Sequence, residues 1–173
     1  MKIIFILKIV LLIVITAVSA YTDLKENKIR NKYLLPSLIL AFILSFAYDG
    51  LKGIKASIIG AIIPIVIFYV FYVMRALGAG DIKLYSVIGA IMGNKFLLYN
   101  ILYTMIAGGI ISIVLLIKNK NLISRLKTFF NYMISFFKTG LILEYSNNEK
   151  GARFPFGIAI FFGTLVQLVV NYI

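Results

Sequence analysis

The chain has 173 residues, 62% of them hydrophobic and 14% charged, with a formal net charge of +12 and a mean hydropathy of +1.02. Soluble domains carry about 25% charged residues, so this composition excludes a water-soluble globule, which could not cover so much apolar surface. The 18 basic residues are scattered between apolar runs and read as membrane topology signals, so no nucleic-acid partner is expected.

At roughly 20 apolar residues per crossing, the length accommodates one membrane-embedded domain, 1–173, of about six transmembrane helices. The first apolar run is Ile3 to Tyr21, broken only by Lys8. Its Ala17-Val18-Ser19-Ala20 resembles a signal-peptidase site. Lys8 inside the run and the Lys25, Lys28, Arg30 and Lys32 cluster after it favour instead a retained helix with its N-terminus outside. The second run, about 33–48, carries Pro36 in its first turn, and Asp49-Gly50 is a turn signal. The third, Ile54 to Met74, holds Pro64 near its middle, where a kink is expected. Next comes Arg75-Ala76-Leu77-Gly78-Ala79-Gly80-Asp81, then the apolar stretch Ile82 to Gly93 and a full-length run from Phe96 to Ile117.

Between Lys118 and Arg153 the character changes. Leu122, Leu126, Phe129, Phe130, Met133 and Phe137 recur at helical spacing among Arg125, Lys127 and Lys138, which predicts a basic amphipathic helix on the membrane surface over about 119–143. A further crossing from Phe129 to Leu143 would have to bury Asn131 and Lys138. After the polar stretch Ser146 to Gly151, Phe154 to Tyr172 forms the last span. The predicted fold class is therefore all-α and polytopic. With the N-terminus outside, the inner loops 22–32, 75–83 and 118–153 hold 13 of the 18 basic residues, as expected of cytoplasmic segments.

The chemistry available is narrow. There is no Cys and no His, which removes thiol and Ser-His-Asp nucleophiles and the common zinc signatures. The acids are Asp23, Glu26, Asp49, Asp81, Glu144 and Glu149. Asp23 ends the first span and Asp81 begins the fourth, both at the inner boundary. The 13 residues from Asp81 to Gly93 make a helix of only about 20 Å, shorter than the roughly 30 Å hydrocarbon core. That shortfall predicts a wet pocket at Asp81, because irregular backbone at such depth must line protein or water. Two carboxylates facing one water can hydrolyse an amide, one taking a proton and the other polarising the carbonyl. Gly78 and Gly80 would let backbone approach closely there. The plainer readings are a helix N-cap for Asp81, a solvated counter-charge for Asp23 and a snorkelling Lys83. Gly89 and Gly93, and Ala107-Gly108-Gly109, are spaced for close helix packing.

Tyr21-Thr22-Asp23 with Lys28-Ile29-Arg30-Asn31, then Gly78-Ala79-Gly80-Asp81-Ile82-Lys83-Leu84, and finally Phe154-Pro155-Phe156-Gly157 resemble the aspartic prepilin peptidases, membrane proteases that remove the leader peptides of type IV prepilins and related proteins. The resemblance covers nearly the whole chain. It implies that Asp23 and Asp81 are a catalytic pair acting without metal or cofactor. Gly78, Gly80, Lys83 and Glu26 are expected to shape the loop or contact substrate. The connection between the first two spans is about a dozen residues and lacks Cys, similar to the short, peptidase-only form. The implied setting is the plasma membrane, with the site facing the cytoplasm, prepilin-like membrane proteins as partners and anionic lipid around it. The rival readings are a small transporter or proton conductor with membrane-embedded acids, and a non-catalytic assembly subunit.

A prepilin-type leader is basic, yet the enzyme's own inner face is basic too. Local acidic contacts from Glu26, Glu144 and Glu149, with anionic lipid screening the rest, would resolve this conflict. Replacing all three by Gln is expected to raise the KM for a basic leader substrate; an unchanged KM discards the idea.

Overall fold

The first apolar run contains neither Gly nor Pro, and it forms one uninterrupted helix, α1 (Lys2–Glu26). The computed structural model describes residues 1–74, 77–118 and 156–172; within these, all regular structure is helical. Helix α1 stops at Asn27, whose φ of 52° is left-handed, a conformation Asn accepts more readily than most residues.

After a short connection, α2 runs Asn31–Val73, but it is not one rod. Asp49 and Gly50 leave the helical region, Gly50 at φ 56°, where a side chain would be strained. Ser45 and Ser57 would lie about 18 Å apart on a continuous helix. Both nevertheless donate to the carbonyl of Ala90, at 3.3 and 2.6 Å. The two arms of α2 therefore fold back on each other, with Gly53 tight against the Ser45 carbonyl. The turn falls where Asp49-Gly50 predicts it. At Pro64, where a kink is expected, the backbone dihedrals stay helical. Because α2 begins at Asn31, Pro36 sits in its second turn rather than its first.

Helix α3 (Ala79–Met92) is the centre of the structure. Every residue from Ile82 to Ile91 except Lys83 is buried, the pattern of a helix enclosed on all sides. It ends at Gly93, with φ 83°, and α4 (Asn94–Lys118) follows. Helix α5 (Phe156–Tyr172) packs against α1. Polar ties join α4 to α5: Asn100 donates to the Thr164 hydroxyl at 3.0 Å, and Gln167 donates to the Phe96 carbonyl at 2.7 Å.

Among the described residues, three helices are long and apolar enough to cross a membrane: Lys2–Glu26, Asn31–Val73 and Asn94–Val114. The apolar helix Phe156–Tyr172 is shorter. Outward-facing Ile, Val and Phe side chains such as Ile6, Val10, Phe46, Ile62, Val66 and Ile106 have no place in water but suit lipid. The protein is a helical membrane protein. The amphipathic segment expected over about 119–143 and the polar stretch after it lie outside the described residues. The chain divides into two compact units, Met1–Gly108 with Pro155–Ile173, and Gly109–Phe154. All site residues discussed below belong to the first.

The glycine spacing resolves unevenly. Gly89 meets Gly60 of α2 backbone to backbone, so a Cβ on either would strike the other's carbonyl. Gly93 instead ends a helix, and around it and Gly109 there is open space. Gly60→Val or Gly89→Val is therefore expected to destabilise the protein by about 1–3 kcal/mol through overpacking. Gly109→Ala should be neutral or stabilising, since Ala is the better helix former. Unfolding titrations in detergent micelles check both outcomes.

Candidate active site

Asp23 lies in the last turn of α1, two residues beyond the apolar run. The left-handed Asn27 caps that turn, its N–H donating to the Asp23 carbonyl at 2.9 Å. The chain then leaves in extended form, and Ile29 packs onto Gly80. A Cβ on Gly80 would sit 3.1 Å from that of Ile29. The open face of this glycine is thus occupied by the chain's own α1–α2 connection.

Asp81 is not the N-cap of its helix. Gly78 holds that position and Asp81 is the third residue inside α3. Its carboxylate reaches back to accept the Gly78 N–H at 3.2 Å, and its own N–H donates to the Gly78 carbonyl at 3.1 Å. This is the reach-back half of a capping box, satisfying a backbone donor that helix geometry leaves free. A Cβ on Gly78 would stand 3.1 Å from Asp81 Oδ2, so glycine keeps the loop this tight.

The two carboxylates share an open cleft of about 250 Å³, lined by Asp23, Asn27, Lys28, Ile29, Gly78, Ala79, Gly80 and Asp81. At about 30 Å³ per water, it has room for several. Burial pushes Asp81 up from the ordinary 3.8 to about 6; the nearby Asp23 charge adds to the shift, and the Gly78 N–H opposes it. One proton can therefore be held in the pair close to neutral pH. Beneath it, one turn along α3, the buried Tyr85 stacks on Phe68 with ring centroids 5.1 Å apart, and Phe156 lies at 6.5 Å.

Of the residues singled out from sequence, the structure brings together Asp23, Asp81, Gly78 and Gly80. Lys83 and Glu26 do not line the cleft. Lys83 donates to Asn31 Oδ1 at 3.1 Å, and Glu26 is engaged by both Nε and Nη2 of Arg30, the latter at 2.7 Å. Glu144 and Glu149 lie outside the described residues. Asp49 sits at the turn of α2, away from the cleft. Among the described residues, no three of His, Cys, Asp and Glu gather into a metal-holding group. One participant went unassigned in the sequence: the Gly157 N–H donates to Asp23 Oδ2 at 2.8 Å. Its signal was the Phe-Pro-Phe-Gly stretch, which spacing alone gives no reason to pair with the first helix.

A family model described as the type IV leader peptidase family matches residues 9–113. The chain belongs to this family. The matched stretch contains both aspartates and the Gly78–Gly80 loop and ends before α5. No curated protein and no solved structure matches the chain. As a member of the leader peptidase family, with several long apolar helices, it is a peptidase and a multi-pass membrane protein.

Because the folded state holds the Asp81 proton more tightly than an unfolded chain does, ionisation costs stability. That cost is absent below the ordinary 3.8 and complete above about 6. Asp81→Asn retains the acceptor for Gly78 but carries no charge. It is expected to melt above wild type well above pH 6, with the gap closing as the pH falls below 4. Carboxyl carbon NMR should find Asp81 titrating near 6, and lower in Asp23→Asn, where the repelling charge is gone.

Proposed function

We propose that the protein is an aspartic endopeptidase that removes the leader peptide from type IV prepilin-like substrates at the cytoplasmic face of the plasma membrane. What carries this reading is the shared cleft, lined by carboxylates from the end of α1 and the start of α3, with Asp81 raised to about 6 by burial and by the Asp23 charge. In the reaction, the ionised carboxylate takes a proton from water as the resulting hydroxide bonds to the scissile carbonyl carbon. The protonated carboxyl gives its proton to the carbonyl oxygen. Collapse of the tetrahedral intermediate returns that proton and breaks the C–N bond, while the carboxyl formed in the first step protonates the leaving amine. No group is consumed, and the pair regains its starting charge.

The topology belongs to the same proposal. We read α1, the two arms of α2, α3, α4 and α5 as six crossings with the N-terminus outside. Helix α3, at 14 residues, is the short one. Support comes from the hairpin in α2 and from the basic bias of segments 22–32, 75–83 and 118–153. Both aspartates then lie at the inner boundary, the depth at which the junction between a basic leader and an apolar helix would rest. With no Cys and a short α1–α2 connection, we assign it to the peptidase-only form. Asn31, Lys83, Glu26 and Arg30 fasten that connection beside the cleft and so shape it indirectly.

Co-expression with a prepilin-like substrate tests the reading. Asp23→Asn and Asp81→Asn should each abolish leader removal, with losses of at least about 10³-fold as for loss of an essential acid or base, while the protein still inserts. Near wild-type cleavage by either variant overturns the assignment in favour of a transporter or a packing subunit.

A further inference from the structure

The Gly157 N–H belongs to the first turn of α5, where helix geometry leaves amide hydrogens without intrahelical acceptors. It donates to Asp23 Oδ2 at 2.8 Å, although 134 positions separate the two residues. A Cβ at Gly157 would lie 3.0 Å from both Cβ and Oδ2 of Asp23 and 3.4 Å from its Cγ. That is tighter than nine in ten side-chain contacts, so a Cβ here requires the Asp23 side chain to give by a few tenths of an ångström. Asp23 is thus held closely against the bare Cα of a glycine, at the positive end of a 17-residue helix.

The cleft's other charged groups sharpen the contrast. Asp81 faces it from α3 and Lys28 from the α1–α2 connection, while α5 has no charged side chain. Asp81 accepts only the longer bond, 3.2 Å, from Gly78 within its own turn. Hydrogen bonds to the ionised form favour that form, so the two carboxylates are unequally supported.

We propose that Gly157 is a positioning residue: its N–H anchors Oδ2 of Asp23, so that Asp23 serves as the ionised, water-activating member of the pair and Asp81 as the proton donor. Rearrangement at the start of α5 would therefore act directly on the general base. The inference rests on the dyad reading above, and it adds a division of labour which that reading leaves open.

The test is kinetic, using the full-length protein in micelles and a synthetic peptide with a basic leader ahead of an apolar segment. Gly157→Ala should lower kcat roughly tenfold, with KM changed by less than about twofold. The acid limb of the kcat–pH profile should rise by roughly one unit, the scale of one hydrogen bond to a charged group. Gly163→Ala is the packing control, because its Cβ would meet Thr104 Oγ1 at 2.6 Å without approaching Asp23. It should lose stability while the acid limb stays in place. Carboxyl NMR of the wild type provides a readout independent of any variant: Asp23 is expected to titrate below Asp81. An unmoved limb in a folded Gly157→Ala, an equal shift in Gly163→Ala, or Asp81 titrating first overturns the positioning role. Cleavage surviving in Asp23→Asn overturns the dyad reading itself.

Discussion

Helix α3 is enclosed by its neighbours along nearly all of its length. Fourteen residues give about 21 Å, against a hydrocarbon core of roughly 30 Å. Its free amides and carbonyls therefore need partners from protein, because lipid supplies none. At the C-terminal end, Ala90 receives two serine hydroxyls, one from each arm of the α2 hairpin. At the N-terminal end, the Asp81 carboxylate takes the Gly78 amide. The carboxylate that faces the cleft is thus also the partner of a backbone donor.

The same constraint explains why the cap and catalytic readings of Asp81 are compatible. A carboxylate that only capped a solvated helix would be ionised and inert. Here burial and the Asp23 charge raise its pKa to about 6, while the Gly78 bond keeps it in place. Asp23 reaches the cleft from the other direction, at the end of a helix whose left-handed Asn27 turns the chain back toward Gly80. The connection that follows is held by the Lys83–Asn31 and Arg30–Glu26 contacts. Lys83 and Glu26, expected from the sequence to contact substrate or shape the loop, are engaged by that connection instead.

Much of this was legible in the residues. The turn at Asp49-Gly50 and the helix end at Gly93 follow from local rules. Apolar runs set helix lengths, glycine and asparagine set breaks, and a short helix with an acid at its mouth predicts a wet site. Expectations that failed concerned neighbours. Gly93 and Gly109 were spaced for helix contact, but only Gly89 found a glycine, Gly60, to meet.

Hydrophobic runs and breakers thus determined by themselves that this is a multi-helix membrane protein with two acids near the mouths of its helices, because lipid imposes the same backbone rule on every segment regardless of its partners. Tertiary structure decided which donors those acids meet. The Gly157 amide reaches Asp23 and two serines reach Ala90 only because α5 and the α2 hairpin pack where they do. Hydrogen bonding is short-ranged and directional, so no periodicity in the chain records which distant helix end will arrive within 3 Å of a carboxylate.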